Sequence, residues 1–394
     1  MEFKIPFSGR AHNYTDEEKA VVLKAMDDAV PLTQGKYLKE FEDNFCRYID
    51  SPFAFGVNNA TSALYLSAQL CQFENGDEVI CPSHTFTATL YPFIKNGATP
   101  VWADIDRDTR VVSLETIKKV VTEKTKAVVV VHLYGFAIDD IEEIASFCRQ
   151  KNILLIEDVA QALGTKVGEK MSGTFGDFGV FSFHSHKNMT TLGEGGMLVV
   201  KDEKFAEIIP MLRHNGHTAW NFERENYWTP AMGNVDLPKL HGKAILPNNF
   251  SLGEIESALG TALLKRIDQL NSEKRERALF FIEKVYETSS LLKFHKVDSI
   301  QHNYHLLVAE VGKDKRDLFM KKMSEEHGIQ LVVQYYPLHQ YDFYKKLGFG
   351  EADVPETIEF FNNMVSFPFH HSLSTEDFMS MLSSTKEVLT EIGN

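Results

Sequence analysis

The apolar positions of this chain follow two periods that alternate along it. "DEVICPS", "TPVWADI", "TKAVVVVHLYG", "ILLIEDVAQ" and "FGVFSFHS" are short β-branched or aromatic runs that read as strands. Between them, "LETIKKVVTE" and "DDIEEIASFCRQKN" carry apolar residues at helical spacing, as do "YTDEEKAVVLKAMDDAV", with Thr15 as its expected N-cap, and "ATSALYLSAQLCQF". Near-continuous apolar strands separated by helices predict a mostly parallel sheet covered on both faces. Both periods fade between Thr218 and Pro247, in "TAWNFERENYWTPAMGNVDLPKLHGKAILP", which holds two of the three tryptophans. A long irregular segment of this kind is expected to serve function. Beyond it, "SLGEIESALGTALLKRIDQLNSEKRERALFFIEKVYE" reads as one long helix, and short strands and helices resume near Leu291. The predicted fold is α/β: residues 1–250 form a large domain around the sheet, and residues 251–394 a connecting helix and a smaller α/β domain.

Composition adds exclusions. Of the 394 residues 43% are hydrophobic and 24% charged, as in ordinary globular proteins. The net charge is −14, and no Lys/Arg run is long enough to follow a phosphate backbone, so no nucleic-acid partner is expected. Four cysteines without a C-x-x-C pair predict buried thiols, with neither a metal site nor a disulfide framework. No segment reaches the roughly 18 apolar residues of a membrane helix. A reduced, cytoplasmic location without membrane contact is expected.

Four stretches carry candidate chemistry. "VNNATSALYLS" places Asn59, Thr61 and Ser62 at a strand-to-helix turn, where free N–H groups and hydroxyls suit an anion such as phosphate; plain N-capping uses the same residues. "IEDVAQA" ends an apolar run on Glu157 and Asp158, and a carboxylate at a strand's C-terminal end lies where ligands bind in such sheets. "FSFHSHKNMTTLGEGGM" sets Lys187 after an apolar strand and before three glycines. An apolar surround lowers an amine pKa and makes a nucleophile. "SHTFTATLYP" offers Phe86 as a face for a flat ligand. A phosphate cup, an acid for a ring nitrogen, a reactive lysine and a stacking face form the equipment of pyridoxal 5′-phosphate chemistry.

The chain resembles the DegT/DnrJ/EryC1/StrS sugar aminotransferases of the aspartate-aminotransferase class (pyridoxal phosphate fold type I). The resemblance rests on "GDEVICPSHTFTAT", "NGATPVWADID", "KTKAVVVVHLYG", "EDVAQALG", "GDFGVFSFHSHKNMTTLGEGGMLVV" and "YYPLHQYDFY", in family order. It implies that Lys187 binds the cofactor covalently, that Asp158 pairs with the pyridine nitrogen and that Gln161 lies near the ring hydroxyl. It further implies phosphate contacts from Thr61, Ser62 and Ser182, stacking by Phe86, and an Asn249 that reaches the phosphate of a neighbouring subunit in a homodimer. His339, in "YYPLHQYDFY", is expected at the substrate together with Trp220, Tyr227 and Trp228 of the long segment. The implied reaction is amination of a keto sugar, nucleotide-linked, with L-glutamate as donor. The alternatives are a cyclitol or non-nucleotide keto sugar as substrate, or a non-catalytic regulator. Sugar dehydratases of the family carry histidine in place of the lysine, and Lys187 argues against that reaction. Departures from the family pattern are Asn59-Ala60-Thr61 at the phosphate turn, Phe136 after "HLYG", and Ser251 in place of an arginine. His184 and His186 are expected on one strand face, in packing or proton transfer, and Glu194 in a structural role.

Overall fold

The computed structural model of the chain describes residues 3–9, 13–218 and 233–393. The larger sheet has seven strands: β1 (Phe53–Val57), β2 (Glu78–Pro82), β3 (Thr99–Ala103), β4 (Thr125–Val131), β5 (Leu154–Asp158), β6 (Phe178–Ser182) and β7 (Gly196–Val200). Their order is β1-β7-β6-β5-β4-β2-β3. Only β7 runs against its neighbours; every other pairing is parallel.

The longer helices around this sheet are α1 (Asp16–Asp28), α2 (Lys36–Ile49), α3 (Ala60–Cys71), α4 (Leu114–Val120), α5 (Ile141–Lys151), α6 (Glu203–Leu212), α7 (Glu254–Leu264) and α8 (Ile267–Tyr286). Successive strand side chains point to opposite faces, which explains the unbroken apolar runs. Val79, Cys81, Ala127 and Val129 pack with α3 and α6. Ile80, Val128 and Val130 pack with α4 and α5 on the other face. Further along that face Phe181, Met197 and Val199 meet α2 and α7. Thr15 caps α1 in a reciprocal box with Glu18. The four cysteines are free, three of them buried.

A second sheet joins β8 (Leu292–Phe294), β9 (Leu307–Val311) and β10 (Met364–Phe367), all antiparallel. It packs with α9 (Arg316–Glu325), α10 (Thr375–Gly393) and the C-terminal half of α8. Two expectations change. The long helix after residue 250 is broken between α7 and α8, where Arg266 leaves helical geometry (φ −120°, ψ 9°) and its Nε donates to buried Glu18 of α1 at 2.6 Å. Leu259, Leu263 and Leu270 also share the core of Phe181 and Val199, which carries the first core past residue 250 and into α8.

Candidate active site

The C-terminal ends of β1, β2, β4, β5 and β6 open on one cavity of about 560 Å³. Its other wall comes from beyond residue 300 and includes His305, Tyr335 and His370. Crossovers on both faces of a parallel sheet leave such a crevice at this edge.

Lys187 lies five residues beyond the end of β6, half-buried in the cavity wall. Burial lowers its amine pKa to about 8, against the opposing pull of the Asp158 charge. Asp158 ends β5 and is 5% exposed. Its Oδ2 accepts from Thr89 Oγ1 at 2.8 Å and its Oδ1 from the Ala160 N–H at 3.0 Å. Burial raises the Asp158 pKa, and these hydrogen bonds and Lys187 oppose the rise. Glu157, its neighbour, points to the other face of the sheet. There it accepts the N–H groups of Gly173, Phe175 and Gly176 and pairs with His132 Nε2 at 3.0 Å. One carboxylate of the pair is thus internally satisfied, and the other faces the cavity with neutral donors, Thr89 and the Ala160 N–H, among the described residues.

Asn59 caps α3, its Oδ1 accepting the Ser62 N–H at 2.9 Å. Ala60 and Thr61 line the cavity, and their N–H groups have no partner within the helix. Ala60 is the first helical residue and lacks positive φ, so alanine fits where the family pattern has glycine. Gly196 explains part of "LGEGGM": a Cβ there would sit 2.6 Å from Asn59 C and 2.7 Å from Ala60 N. Glycine lets β7 pass directly behind the turn.

The expected residues separate into groups. Thr61, Phe86, Asp158, Gln161, Ser182 and Lys187 all line the cavity. Ser62 does not: its hydroxyl turns back to Asn58 Oδ1 at 2.6 Å. His339 is also away from the cavity, buried with Nδ1 at 2.6 Å from Ser83 Oγ and its ring against Trp102, because a short helical turn carries it inward. Asn249 is exposed and outside the cavity. Trp220, Tyr227 and Trp228 lie outside the described residues; the ends of their segment meet where His217–Thr218 pairs with Asn234–Val235. β6 ends before His184 and His186, so both belong to the following loop, their rings 5.2 Å apart. They line the cavity, as does Glu194. Phe136 is buried against His295.

Other site residues escaped sequence reasoning. Tyr335 accepts from Gln161 Nε2 at 2.9 Å, Gln161 Oε1 accepts the Tyr134 N–H at 2.7 Å, and the Tyr134 and Tyr335 rings stack at 6.3 Å. Burial pushes the Tyr335 phenol up to about 12. His305, His370 and Tyr335 come from distant parts of the chain with no local signal; "YYPLH" pointed to the right stretch but to a different residue.

Pyridoxal phosphate fits this donor set. Among the described residues no cation is hydrogen-bonded to the buried Asp158 carboxylate, which makes it the match for a protonated ring nitrogen. The α3 N-terminus suits a phosphate, and Lys187 supplies the amine. The sheet order and this site define a fold type I pyridoxal phosphate enzyme, an aminotransferase. The chain belongs to the DegT/DnrJ/EryC1/StrS aminotransferase family, which it matches over residues 13–385. It is 30% identical over 384 residues to GDP-perosamine synthase of Escherichia coli O157:H7, covering 96% of this chain and 97% of that one. It is 30% identical over 366 residues to the spore coat polysaccharide biosynthesis protein SpsC of Bacillus subtilis, covering 91% of each. Among solved structures it resembles Helicobacter pylori PseC, an aminotransferase involved in the biosynthesis of pseudoaminic acid, with TM-score 0.86, 27% identity and coverage of 99% and 100%.

Proposed function

We propose that this aminotransferase converts the carbonyl of a nucleotide-linked keto sugar to an amine, with L-glutamate as amino donor. The observation that carries the reading is the Lys187 amine, held near pKa 8 in the same cavity as the buried Asp158 carboxylate. Relatives named for GDP-perosamine synthesis support a nucleotide-linked sugar.

When bound, pyridoxal phosphate supplies an electron sink for the carbon that loses a proton. Asp158 would hold the ring nitrogen protonated. Thr61, Ser182 and the α3 N–H groups would take the phosphate, Phe86 would cover a ring face and Gln161 would orient beside it. Lys187 would bind the cofactor, then serve as the base and acid that moves a proton between substrate and cofactor carbons. Asn249, exposed on the surface, would complete the site of a second copy in a homodimer. Trp220, Tyr227 and Trp228 would stack on the nucleotide.

The test has two parts. Borohydride reduction followed by peptide mass spectrometry should find the cofactor on Lys187. Turnover of nucleotide-linked 3-keto and 4-keto sugars with glutamate should identify the substrate; a panel without turnover overturns the substrate assignment. Mixing a Lys187→Ala protein with an Asn249→Ala protein should restore part of the activity if the site is shared, and no recovery after proven subunit exchange overturns the sharing.

A further inference from the structure

Directly after Lys187 lies a chain of buried polar side chains that the reaction does not use. Lys274 of α8 is 7% exposed, and its Nζ donates to the backbone oxygens of His305 (2.9 Å) and Phe369 (3.3 Å) and to Asn188 Oδ1 (3.2 Å). Asn188 Nδ2 donates to Asn271 Oδ1 at 2.9 Å, and Asn271 Nδ2 to the Leu163 carbonyl at 2.8 Å. His305 Nδ1 stands 3.2 Å from the same Asn188 Oδ1.

Donor and acceptor identities are forced from both ends. A lysine ammonium only donates and a carbonyl only accepts. Leu163 therefore fixes the amide of Asn271, and Lys274 together with Asn271 fixes that of Asn188. The atom facing His305 is an oxygen, so His305 Nδ1 must carry the hydrogen. A neutral ring then keeps its lone pair on Nε2. Among the described residues Nε2 has no hydrogen-bond partner, and His305 lines the cavity. Burial, and then the charges of Lys187 and Lys274, hold the ring well below the usual histidine pKa.

From this geometry we infer that His305 is locked as the Nδ1–H tautomer by Asn188 and Lys274, and that its Nε2 accepts a hydrogen bond from a hydroxyl of the sugar substrate. The second half rests on the function proposed above. His305 is thus a substrate-binding residue, while Asn188 and Lys274 are positioning residues. The sequence "KN" therefore joins two duties: Lys187 for the cofactor, and Asn188 to set the opposite wall.

Two experiments separate the halves. Isotope-edited NMR on histidine-labelled protein reads the tautomer without substrate, the His305 signal being the one lost in His305→Asn. A Nδ1–H ring near neutral pH is expected; a Nε2–H ring or an imidazolium overturns the lock. Asn188→Leu, shown by circular dichroism to be folded, should release the tautomer, and an unchanged signal overturns the role of Asn188. If Asn188→Leu fails to fold, Asn188→Ala, which also removes the acceptor oxygen facing His305, serves in its place under the same criterion. For the ligand, calorimetry compares GDP-mannose, UDP-glucose and dTDP-glucose with the corresponding bare diphosphates. Asparagine reproduces only the Nδ1 side of histidine, whereas glutamine reaches the Nε2 position. His305→Asn should cut the affinity gained from the sugar about tenfold, as one hydrogen bond predicts, and His305→Gln should keep part of it, with the bare diphosphate unaffected. Equal loss for sugar and diphosphate, or no loss, overturns the hydroxyl contact. If the wild-type protein gains nothing from any of the three sugars, the hydroxyl contact falls with the proposed substrate class, and the tautomer result stands by itself.

Discussion

Two lysines are withdrawn from water in this protein, and their surroundings differ. Lys187 and Lys274 both lose ammonium stability to burial, to about 8 and about 7 respectively. Around Lys274, three oxygens receive three N–H bonds, one for each hydrogen of an ammonium, and these acceptors hold the charged form against the downward push of burial. Among the described residues no hydrogen bond reaches Lys187 Nζ, which meets only the cavity and the field of Asp158. Burial alone therefore does not make a nucleophile. A lysine whose hydrogens are all engaged is a clamp, and one left without acceptors keeps its lone pair available.

The largest effect should come from Lys187→Ala. Turnover should fall by about a thousandfold or more, and borohydride should no longer fix the cofactor to the chain. Thermal unfolding of the apoprotein should not shift downward, since the variant loses a desolvated amine and no hydrogen bond. Asp158→Ala comes next. Losing a charge-assisted contact should weaken cofactor binding by about 1.5–3 kcal/mol, read by fluorescence titration of the apoprotein, with turnover reduced as well. A variant with wild-type affinity and turnover removes Asp158 from the site.

Lys274→Met should reverse the pattern. It leaves the buried carbonyls of His305 and Phe369 without their Lys274 donor, which should lower stability by about 1–3 kcal/mol in denaturant unfolding, while borohydride still traps the cofactor on Lys187. The mildest test is pH. The Lys187 pKa of about 8 lies below the ordinary lysine value of 10.5, so the ammonium form dominates below about 8 and the free amine above it. The rate of covalent cofactor uptake by the apoprotein should climb with pH and level off above about 8; a rate still rising toward 10 would mean an ordinary solvated lysine. By the same sign, the cost of burying this amine is greatest below about pH 8 and fades as pH approaches 10.5. Any stability advantage of Lys187→Ala should shrink over that interval.

Much of this site was legible because its residues sit at ends of strongly patterned elements. Asp158 closes an apolar run, Lys187 follows another, and Thr61 opens a helix, so backbone periodicity alone brings them to one sheet edge. Ser62 was misplaced because a hydroxyl beside two asparagines has a closer partner in Asn58 than in the cavity. His339 was misplaced for a similar reason: sequence position does not fix the rotation of a short helical turn, and this one carries the ring to Ser83.

By itself the sequence determined the strand–helix alternation, the parallel sheet, and the pairing of a lysine with an acid at the ligand edge. Those follow from local periods and from the rule that such sheets bind ligands at their carboxyl ends. Only the tertiary structure decided which lysine is free and which is clamped. It also decided which of two adjacent carboxylates faces the cavity and how His305, more than a hundred residues from Lys187 in the chain, comes to face the same space. Hydrogen-bond satisfaction is the physical reason. Whether a buried polar group is spent on the fold or left for a ligand depends on acceptors and donors brought from distant segments, and no local pattern records them.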